Sequence, residues 1–394
     1  MTEARRLRGH KATATCCIAS RDRPGIVATS AEDGCVCWFD MRCKDVQFVM
    51  DVSSEPISSL CFNSGNENII YVSTGNEVKC FDVHMLAENS WKSLETYNYN
   101  KEEINQVTCN PKSTFLASAD DGGEIKIIDI RQQCVFKTLR AGHTSALKDF
   151  LVLCNPLSED HCEICSSAQF IPWRPWEVIT GGLDSKLIKW DFSKGRPSKI
   201  VDFGLPDTSS NSNAGQCLNP AFVHSIKVPD ADMLEKVGEI CVVARGDGVI
   251  DVINVESELS SIKPKSSSKS RKGTQSVSKG SLPAEGEVTN EDGRKWLHLD
   301  YSLGGHTAAV SCVAFSLFGS ERGKFIVSGG NDKLVKVWDC SRCLDSWKTG
   351  SNNELLHLNI SLSKKVNWLC TTPAESDNLV ICDTTKVVKV YTVS

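Results

Sequence analysis

The sequence lacks several features that would indicate common functional classes. It has no run of 18 apolar residues, so we expect no membrane-spanning helix and no membrane partner. Its N-terminal segment has no apolar stretch of the secretory type, and we expect no export signal there. A phosphate-binding loop and a nucleophile elbow are both missing, which argues against the enzymes that are built on those motifs.

An excess of charge of one sign is also missing. Basic residues number 44 and acidic residues 49, which gives a net charge of −5. A chain with this balance has no overall field that would attract nucleic acid, so we expect no direct nucleic-acid partner. Cysteine, by contrast, is abundant, at 19 residues. Without an export signal we expect reduced thiols and a cytoplasmic or nuclear protein.

Five segments end in nearly the same way. They read Cys37-Trp38-Phe39-Asp40, Lys79-Cys80-Phe81-Asp82, Ile127-Ile128-Asp129, Lys189-Trp190-Asp191 and Lys336-Val337-Trp338-Asp339. Gly-His pairs stand upstream of three of these segments, at His10, His143 and His306. Gly-His followed some tens of residues later by Trp-Asp is the signature of WD40 repeats, each of which forms one four-stranded blade of a propeller. The pattern therefore predicts an all-β fold.

The order of elements within the repeat predicts seven blades in a single domain that spans residues 1–394. Each repeat has an apolar strand, a strand that ends in small residues, a tight turn with aspartate, and an alternating strand. The approximate blade limits are residues 11–52, 56–98, 104–139, 142–203, 221–301, 305–362 and 365–394. Blade 3 has Ser118, Asp121 and Asp129 in the expected places of the repeat. Blades 5 and 7 are degenerate, and blade 7 is predicted from its alternation alone.

The N-terminal segment supplies the strand that the last blade lacks. Residues 4–7 precede the first Gly-His, where an outermost strand would lie. We expect these residues to pair with residues 387–390, because an unclosed ring would leave unpaired backbone groups along a sheet edge. The prediction is thus a seven-bladed WD40 β-propeller closed by the N-terminal strand.

Three insertions interrupt the repeats. Residues 256–295 are rich in serine, lysine and glycine, without apolar periodicity, and we expect them to be disordered. Residues 206–220 are predicted to form a polar surface loop. Residues 146–163 contain Phe150-Leu151-Val152-Leu153, which is too apolar for an ordinary solvated loop. A variant transcript or an extra element packed on the rim would each explain this third insertion.

A set of polar residues recurs at fixed spacing and predicts a buried structural relay. In WD40 domains a hydrogen-bonded relay runs from a histidine through a serine or threonine and an aspartate towards a tryptophan indole N–H. The members here are His306, Ser328, Asp332 and Trp338 in blade 6, with Thr180, Asp184 and Trp190 in blade 4. The set resembles a Ser-His-Asp triad, but a catalytic set would not recur blade by blade, so we expect no catalytic residue here.

Two further clusters have a functional interpretation beside a simpler one. Cys154, His161, Cys162 and Cys165 offer zinc-type ligands, but their spacing fits no zinc module, and reduced thiols in a loop are the simpler interpretation. We expect no metal and no other cofactor. The lysines and arginine of residues 263–279 form either a solvated linker or a nuclear-import signal or anionic-surface contact that serine phosphorylation would modulate. No aromatic residues interleave with them, which disfavours stacking on single-stranded nucleic acid.

Two blades carry an arginine two positions after the terminal aspartate. Asp129 and Arg131 form the better example and Asp40 and Arg42 the second. The pairs resemble the box by which WD40 proteins dock on damaged-DNA-binding protein 1, the adaptor of the cullin-4 ubiquitin ligase. That box has tryptophan or tyrosine before the aspartate, where this chain has Ile128 or Phe39. Arginine is also common at this position in WD40 proteins generally.

The chain as a whole resembles the WD repeat-containing protein 53 family. The resemblance is carried by Glu102-Glu103-Ile104-Asn105, Leu116-Ala117-Ser118-Ala119-Asp120-Asp121, Asn219-Pro220-Ala221-Phe222-Val223-His224-Ser225-Ile226 and Lys365-Val366-Asn367-Trp368-Leu369. It implies a seven-bladed propeller and a substrate receptor that binds the cullin-4 adaptor. Residues 146–163 depart from the family pattern.

The sequence therefore favours a non-enzymatic interaction platform. In the first hypothesis the protein docks on the damaged-DNA-binding protein 1 type adaptor and presents an unknown client protein to the ligase. In the second it is a general scaffold or a peptide-reading module with no connection to a ligase. We expect a monomer outside such complexes.

Overall fold

The computed structural model describes residues 4–43, 45–84, 92–140, 164–205, 217–259, 296–319, 321–349 and 355–393. Within these residues the chain forms seven antiparallel sheets of four strands each. Six of the sheets use four strands that follow one another in the sequence, and the seventh combines the first strand of the chain with the last three. The predicted count of seven blades is confirmed.

Blades 1 to 3 contain strands β2 to β13. Their bounds are β2 (Ala14–Ala19), β3 (Ile26–Ala31), β4 (Cys35–Asp40), β5 (Val46–Asp51), β6 (Ile57–Asn63), β7 (Asn66–Thr74), β8 (Glu77–Asp82), β9 (Glu95–Tyr97), β10 (Ile104–Cys109), β11 (Phe115–Asp120), β12 (Ile125–Asp129) and β13 (Cys134–Leu139).

Blades 4 to 7 contain the remaining strands. Their bounds are β14 (Cys165–Phe170), β15 (Glu177–Gly182), β16 (Lys186–Asp191), β17 (Arg196–Asp202), β18 (Val223–Lys227), β19 (Ile240–Arg245), β20 (Ile250–Asn254), β21 (Trp296–Leu299), β22 (Val310–Phe315), β23 (Phe325–Gly330), β24 (Leu334–Asp339), β25 (Leu356–Ser361), β26 (Val366–Thr371), β27 (Leu379–Asp383) and β28 (Val388–Tyr391). Blade 7 is completed by β1 (Arg5–Leu7).

Short helices occur in three connections. They are α1 (Leu234–Val237), α2 (Val255–Glu258) and α3 (Cys340–Thr349), with 3-10 turns at Ala231–Met233 and Tyr301–Leu303. Among the described residues no helix is both long and apolar enough to cross a membrane.

The insertion that was predicted for residues 256–295 begins later than the sequence indicated. Residues 256–258 belong to α2, whose Asn254 cap accepts a hydrogen bond from the Ser257 N–H at 2.8 Å, and Leu259 is fully buried. The expectation of disorder from residue 256 onward was therefore wrong at its start, because the low apolar content of the whole segment concealed one capped turn. Residues 260–295, 206–216 and 146–163 lie outside the described residues.

Ring closure follows the predicted pairing. Strand β1 is antiparallel to β28, with Arg5 opposite Val390 and Leu7 opposite Val388. The innermost strands contact one another in the cyclic order β2, β6, β10, β14, β18, β22, β26 and again β2. No blade is left with an unpaired neighbour, which is the condition that the closure hypothesis set.

The hydrophobic core is divided among the seven boundaries between blades. Each apolar cluster combines side chains from two adjacent blades, such as Cys37 and Val388 at the boundary of blades 1 and 7. Small residues at the ends of the second strands permit this close packing. A Cβ on Gly181 would lie 2.2 Å from Val223 Cγ1 of the next blade, and one on Gly329 would lie 2.5 Å from Val366 Cγ1. Glycine at these positions therefore lets neighbouring blades approach each other closely.

Two faces of the ring follow from the antiparallel order of the strands. Turns that join the first strand to the second, and the third to the fourth, lie on one face, which we call the Arg131 face. Turns that join the second strand to the third, and the connections between blades, lie on the other, which we call the His306 face. The innermost strands begin at the His306 face and end at the Arg131 face.

A polar side chain near the start of each innermost strand links one blade to the next. The second residue of the strand donates a hydrogen bond to the carbonyl oxygen of the first residue in the following blade. The bonds are Thr15 to Ile57 (2.6 Å), Ser58 to Ile104, Asn105 to Cys165 (3.2 Å), Ser166 to Val223, Ser311 to Val366 (2.7 Å) and Asn367 to Ala14 (2.9 Å). These bonds satisfy polar groups at the channel wall and fix the register between neighbouring blades.

His224 occupies this position in blade 5 and interrupts the circle. Among the described residues no hydrogen bond from its ring to Val310 of blade 6 is present, and burial lowers the pKa of its imidazole. The innermost strands of blades 5 and 6 are therefore held together by apolar packing, in which Ile250 and Val310 take part.

Leu7→Ala should destabilise the whole propeller by about 2–5 kcal/mol, because Leu7 is the buried residue of the closing strand. Arg6→Ala, at the exposed neighbouring position, is the matched control and should change stability by no more than about 0.5 kcal/mol. Urea unfolding of the two variants and of a chain that lacks residues 1–8 measures the effect. Unchanged midpoints in Leu7→Ala and the truncated chain would contradict closure.

His224→Ser should raise stability by about 1 kcal/mol, because serine supplies the missing bond at three equivalent positions. Ser311→Ala should lower stability by a similar amount by removing one of the existing bonds. Both changes are measured as shifts in the urea midpoint. A loss of stability in His224→Ser would show that the imidazole has packing contacts that serine cannot replace.

Candidate functional site

The polar set of blade 6 forms one buried hydrogen-bonded chain. His306 Nε2 lies 2.9 Å from Ser328 Oγ, and His306 Nδ1 lies 3.0 Å from the Asp332 carboxylate. The Trp338 indole N–H donates to Ser328 Oγ at 3.1 Å. The order is therefore Asp332, His306, Ser328 and Trp338, whereas the sequence analysis placed the aspartate between serine and tryptophan.

This hydrogen-bonded chain has a structural role, because its serine is inaccessible to a substrate. Ser328 is fully buried and its oxygen already accepts the tryptophan N–H, so no substrate carbonyl can reach it. Asp332 also accepts the backbone N–H groups of Thr307 and Leu334, at 3.1 Å each. Burial alone would raise the pKa of Asp332, but the bonds from His306 and these backbone groups hold that pKa below its ordinary value.

Blades 1 and 4 contain related versions. In blade 4 the Trp190 indole donates to Thr180 Oγ1 at 2.8 Å, and Asp184 accepts the Lys186 N–H at 3.1 Å. His143 lies outside the described residues. In blade 1 His10 contacts Thr29 at 2.8 Å and Asp33 at 3.4 Å.

Blades 3 and 5 have other residues in place of this relay. In blade 3 Asn100 replaces histidine, since it accepts from Ser118 at 2.7 Å and donates to Asp120 at 2.8 Å. The turn aspartate is therefore Asp120, and the expectation that Asp121 takes this position was wrong. Two adjacent aspartates gave the sequence no means to decide, whereas in the structure Asp121 accepts from Asn105 at 2.8 Å.

In blade 5 a buried ion cluster replaces the relay. The Arg245 guanidinium donates to Asp251 at 2.8 Å and pairs with Asp247, and His298 Nδ1 lies 2.5 Å from Asp251. Burial alone would raise the pKa of Asp251, but Arg245 and His298 hold that pKa below its ordinary value. The guanidinium also lies over the Phe203 ring, 5.0 Å from its centroid. No sequence signal identified this cluster.

The residue that ends the third strand caps the following turn in blades 1 to 6. Its side-chain oxygen accepts a backbone N–H two or three positions later, which is the Asx-turn geometry. The pairs are Asp40 with Arg42, Asp82 with His84, Asp129 with Arg131, Asp191 with Lys194, Asn254 with Ser257 and Asp339 with Arg342. Asp40 and Asp129 thus orient the turns that carry Arg42 and Arg131.

The two candidate docking arginines differ in what their guanidinium groups contact. Arg42 is 78% exposed, and its guanidinium donates to both carboxylate oxygens of Asp40, with Nη2 to Oδ2 at 2.6 Å. Arg5 of the closing strand donates to the Met41 carbonyl in the same turn, which ties that turn to blade 7. Arg131 is also exposed, but within the described part of the chain its guanidinium has no ion pair. Arg131 is therefore the arginine that is available to a partner.

A cavity of about 520 Å³ occupies the central channel towards the Arg131 face. Its wall consists of the later residues of the innermost strands, among them Cys61, Gln106, Lys227 and Trp368. Burial raises the pKa of the Cys61 thiol, so the thiol stays protonated and is a weak nucleophile. Among the described residues no group of three or more potential ligand side chains could hold a metal ion. Cys165 lies in β14 with its thiol 3.6 Å from the Gly181 oxygen, whereas Cys154, His161 and Cys162 lie outside these residues.

A strap of residues 229–238, between β18 and β19, crosses the channel at the Arg131 face. Its Asp232 pairs with Arg21 of blade 1 at 2.8 Å and with Arg322 of blade 6 at 3.0 Å. Asp230 pairs with Arg21 at 3.2 Å. Blades 5 and 1 are three positions apart in the ring, so these ion pairs join nearly opposite sides of the channel mouth. Sequence reasoning missed the strap because its contacts join residues about two hundred positions apart.

Comparisons with known proteins agree with this geometry. A family model described as "WD domain, G-beta repeat" matches residues 1–40, 91–129 and 298–339. These three segments of the chain therefore contain WD40 repeats. Its fold is shared with the crystal structure of the WD40 β-propeller domain of Doa1, with a TM-score of 0.62 at 13% identity over 100% of this chain and 98% of that one. The predicted propeller is thereby confirmed.

The relatives support the resemblance that the sequence suggested. The chain is 25% identical to the WD repeat-containing protein 53 homolog of Dictyostelium discoideum over 409 aligned positions, covering 98% of this chain and 94% of that protein. It is 23% identical to the GATOR2 complex protein WDR24 of Danio rerio over 180 positions, which is 44% of this chain but 20% of that protein. Together with the repeats, these matches support a WD40 propeller scaffold for protein interaction.

Asp332→Asn should destabilise the WD40 propeller by about 1–3 kcal/mol at neutral pH, because the charged acceptor for His306 and two backbone groups is lost. Since the folded pKa of Asp332 is depressed, its contribution is complete above the unfolded value of about 3.9 and is lost as pH falls through the lower folded value. Urea unfolding between neutral pH and about pH 3 should therefore show a smaller acid-induced loss in Asp332→Asn than in the unmodified chain. An identical acid-induced loss in both proteins would contradict this role.

Proposed function

We propose that the protein is a substrate receptor that docks on the damaged-DNA-binding protein 1 type adaptor of a cullin-4 ubiquitin ligase. The observation that carries the proposal is the exposed Arg131, held by an aspartate-capped turn on one face of the ring and without an ion pair in the described part of the chain. A planar guanidinium in this position suits bidentate contact with a carboxylate or with carbonyl groups of a partner.

Geometry ranks the two arginine boxes. Arg42 already makes a bidentate contact with Asp40, so an adaptor would have to replace an existing ion pair in order to use it. Arg131 needs no such exchange, because Asp129 accepts only the backbone N–H groups of Arg131 and Gln132. We therefore assign the main adaptor contact to Arg131 and a lesser one to Arg42, with Asp129 and Asp40 as positioning residues.

The client would bind elsewhere on the ring. The His306 face lies opposite the arginine boxes, so adaptor and client could be bound at the same time. Every cysteine among the described residues is a free thiol, which suits the reducing conditions of the cytoplasm or nucleus, where such a ligase would act.

The second candidate is a scaffold or peptide-reading module without any ligase. It is favoured by the channel cavity, since concave sites of this size receive peptide side chains or small ligands in many proteins. Adaptor binding separates the two candidates, because only the first one requires it.

Arg131→Ala should weaken adaptor binding by roughly thirtyfold, which corresponds to a hot spot of about 2 kcal/mol. Arg42→Ala should have a smaller effect. Arg342→Ala is the matched control, because Arg342 follows the capping Asp339 in blade 6 and lies on the same face. Purified adaptor and receptor variants are compared by biolayer interferometry, with thermal unfolding to verify the fold.

The proposal fails if the unmodified protein does not bind the adaptor, or if the Arg131→Ala, Arg42→Ala double variant binds it as tightly as the unmodified chain. An equal loss in Arg342→Ala would show a diffuse charge effect instead of a docking box.

A further inference from the structure

An exposed group of aromatic rings lies at the boundary of blades 3 and 4 on the Arg131 face. It consists of Phe115, Phe136 and Trp176, which we call the aromatic patch. Phe136 is 39% exposed and Trp176 is 47% exposed, and their ring centroids are 6.1 Å apart. Phe115 lies 5.1 Å from Phe136 and 5.9 Å from Trp176, so the three rings are contiguous.

The patch has a fixed floor. Phe192 is fully buried beneath it, 5.6 Å from Trp176 and 5.8 Å from Phe170 of the core. The Phe192 N–H donates to the Trp176 carbonyl at 3.0 Å, which fixes the loop that carries the tryptophan. Aromatic rings held in this way offer contact area without much loss of conformational entropy on binding.

Basic residues surround the patch. The segments that form and flank it, residues 110–115, 129–137, 172–177 and 191–199, contain seven basic and three acidic residues, although the whole chain has a net charge of −5. All three acids are engaged within the protein. Asp129 caps its turn, Glu177 pairs with Lys189 at 3.0 Å, and Asp191 pairs with Lys194.

Several of the surrounding cations are unpaired. Arg174 pairs with Glu256 and Lys194 pairs with Asp191, but the other five cations form no ion pair with any described residue. These cations are Lys112, Arg131, Lys137, Arg196 and Lys199. Lys112 and Arg131 lie in the two turns that flank Phe115, which is opposite Asp129 in the sheet. Lys137 follows Phe136 and lies against Gly195 of blade 4.

We propose that the aromatic patch binds an acidic peptide segment of a partner protein that packs one apolar side chain against the exposed parts of Phe136 and Trp176. An apolar anchor surrounded by carboxylates matches both the exposed rings and the unpaired cations around them. The partner segment is defined by its own chemistry, so its binding to the aromatic patch does not require the ligase.

Single-stranded nucleic acid is the other ligand that aromatic rings and cations can bind. Base stacking needs an open ring face. Here Phe115 packs at 54° to Trp176, and Phe136 and Trp176 lie at 32° to each other, so the rings contact one another and present edges and partial faces. This arrangement favours an apolar peptide side chain packed against the rings over a stacked base.

The probe is a short fluorescein-labelled peptide of glutamate and aspartate with one phenylalanine and one leucine at its centre, titrated into the full chain by fluorescence anisotropy. Trp176→Ser and Phe136→Ser should each weaken binding by roughly tenfold. Tyr301→Ser is the matched control, because Tyr301 is an equally exposed aromatic residue in blade 5. Arg196→Glu should also weaken binding, and as an exposed substitution it keeps the test informative if the aromatic variants fold poorly.

Two control ligands and two control measurements complete the test. Peptide binding should fall with added salt, and a peptide with lysine in place of the acids should not bind. The proposal is overturned if the aromatic variants and Arg196→Glu bind the acidic peptide as tightly as the unmodified chain. It is also overturned if oligouridine binds with the same dependence on Trp176, or if light scattering shows that the patch joins two copies of this chain. Adaptor binding is measured separately, so failure here leaves the role of Arg131 untouched.

Discussion

Closure of the ring by β1 is the constraint on which the rest of the structure depends. Each blade buries its apolar side chains only against its two neighbours, so all seven boundaries must form together. Leu7, opposite Val388, completes the boundary of blades 7 and 1. Arg5 extends this closure to the turn of Arg42, because its guanidinium bonds to the Met41 carbonyl. The closing strand thus restrains one of the two candidate docking turns and leaves the turn of Arg131 unaffected.

The buried polar groups of this fold form hydrogen bonds with one another, so the surface turns are the parts that can contact a partner. Side chains near the start of the innermost strands donate hydrogen bonds to the next blade. Within each relay of blades 1, 3, 4 and 6, the polar side chains bond to one another. Blade 5 departs from both patterns, with His224 in the circle and Arg245 in place of a relay. It also supplies the strap that pairs with Arg21. A blade that is degenerate in sequence therefore contributes the contact that spans the channel.

Local pattern was sufficient to predict the blades, the closing strand and the members of the blade 6 relay. The blades and the relay depend on spacing within one repeat, such as the separation of ten positions between Ser328 and Trp338, and the closing strand was predicted because the last blade lacked its fourth strand. Features made by distant segments could not be read in this way. The strap needs the meeting of Asp232 with Arg21, and the aromatic patch needs Phe136 and Trp176 from different blades. The helix α3 was also missed, because it follows a complete third strand where the repeat predicts a turn.

The pairing of β1 with β28 has a consequence for the timing of folding. Leu7 and Val388 are partners at opposite ends of the described chain, so β1 is synthesised long before its partner strand exists. At ordinary translation rates the interval is on the order of tens of seconds. Throughout that interval the side of blade 1 that will face blade 7 has no neighbour. The apolar residues of blade 1 that later pack on Val388 and Val390 are therefore exposed. The nascent chain is therefore most exposed to aggregation and most dependent on chaperones just before its last strand emerges.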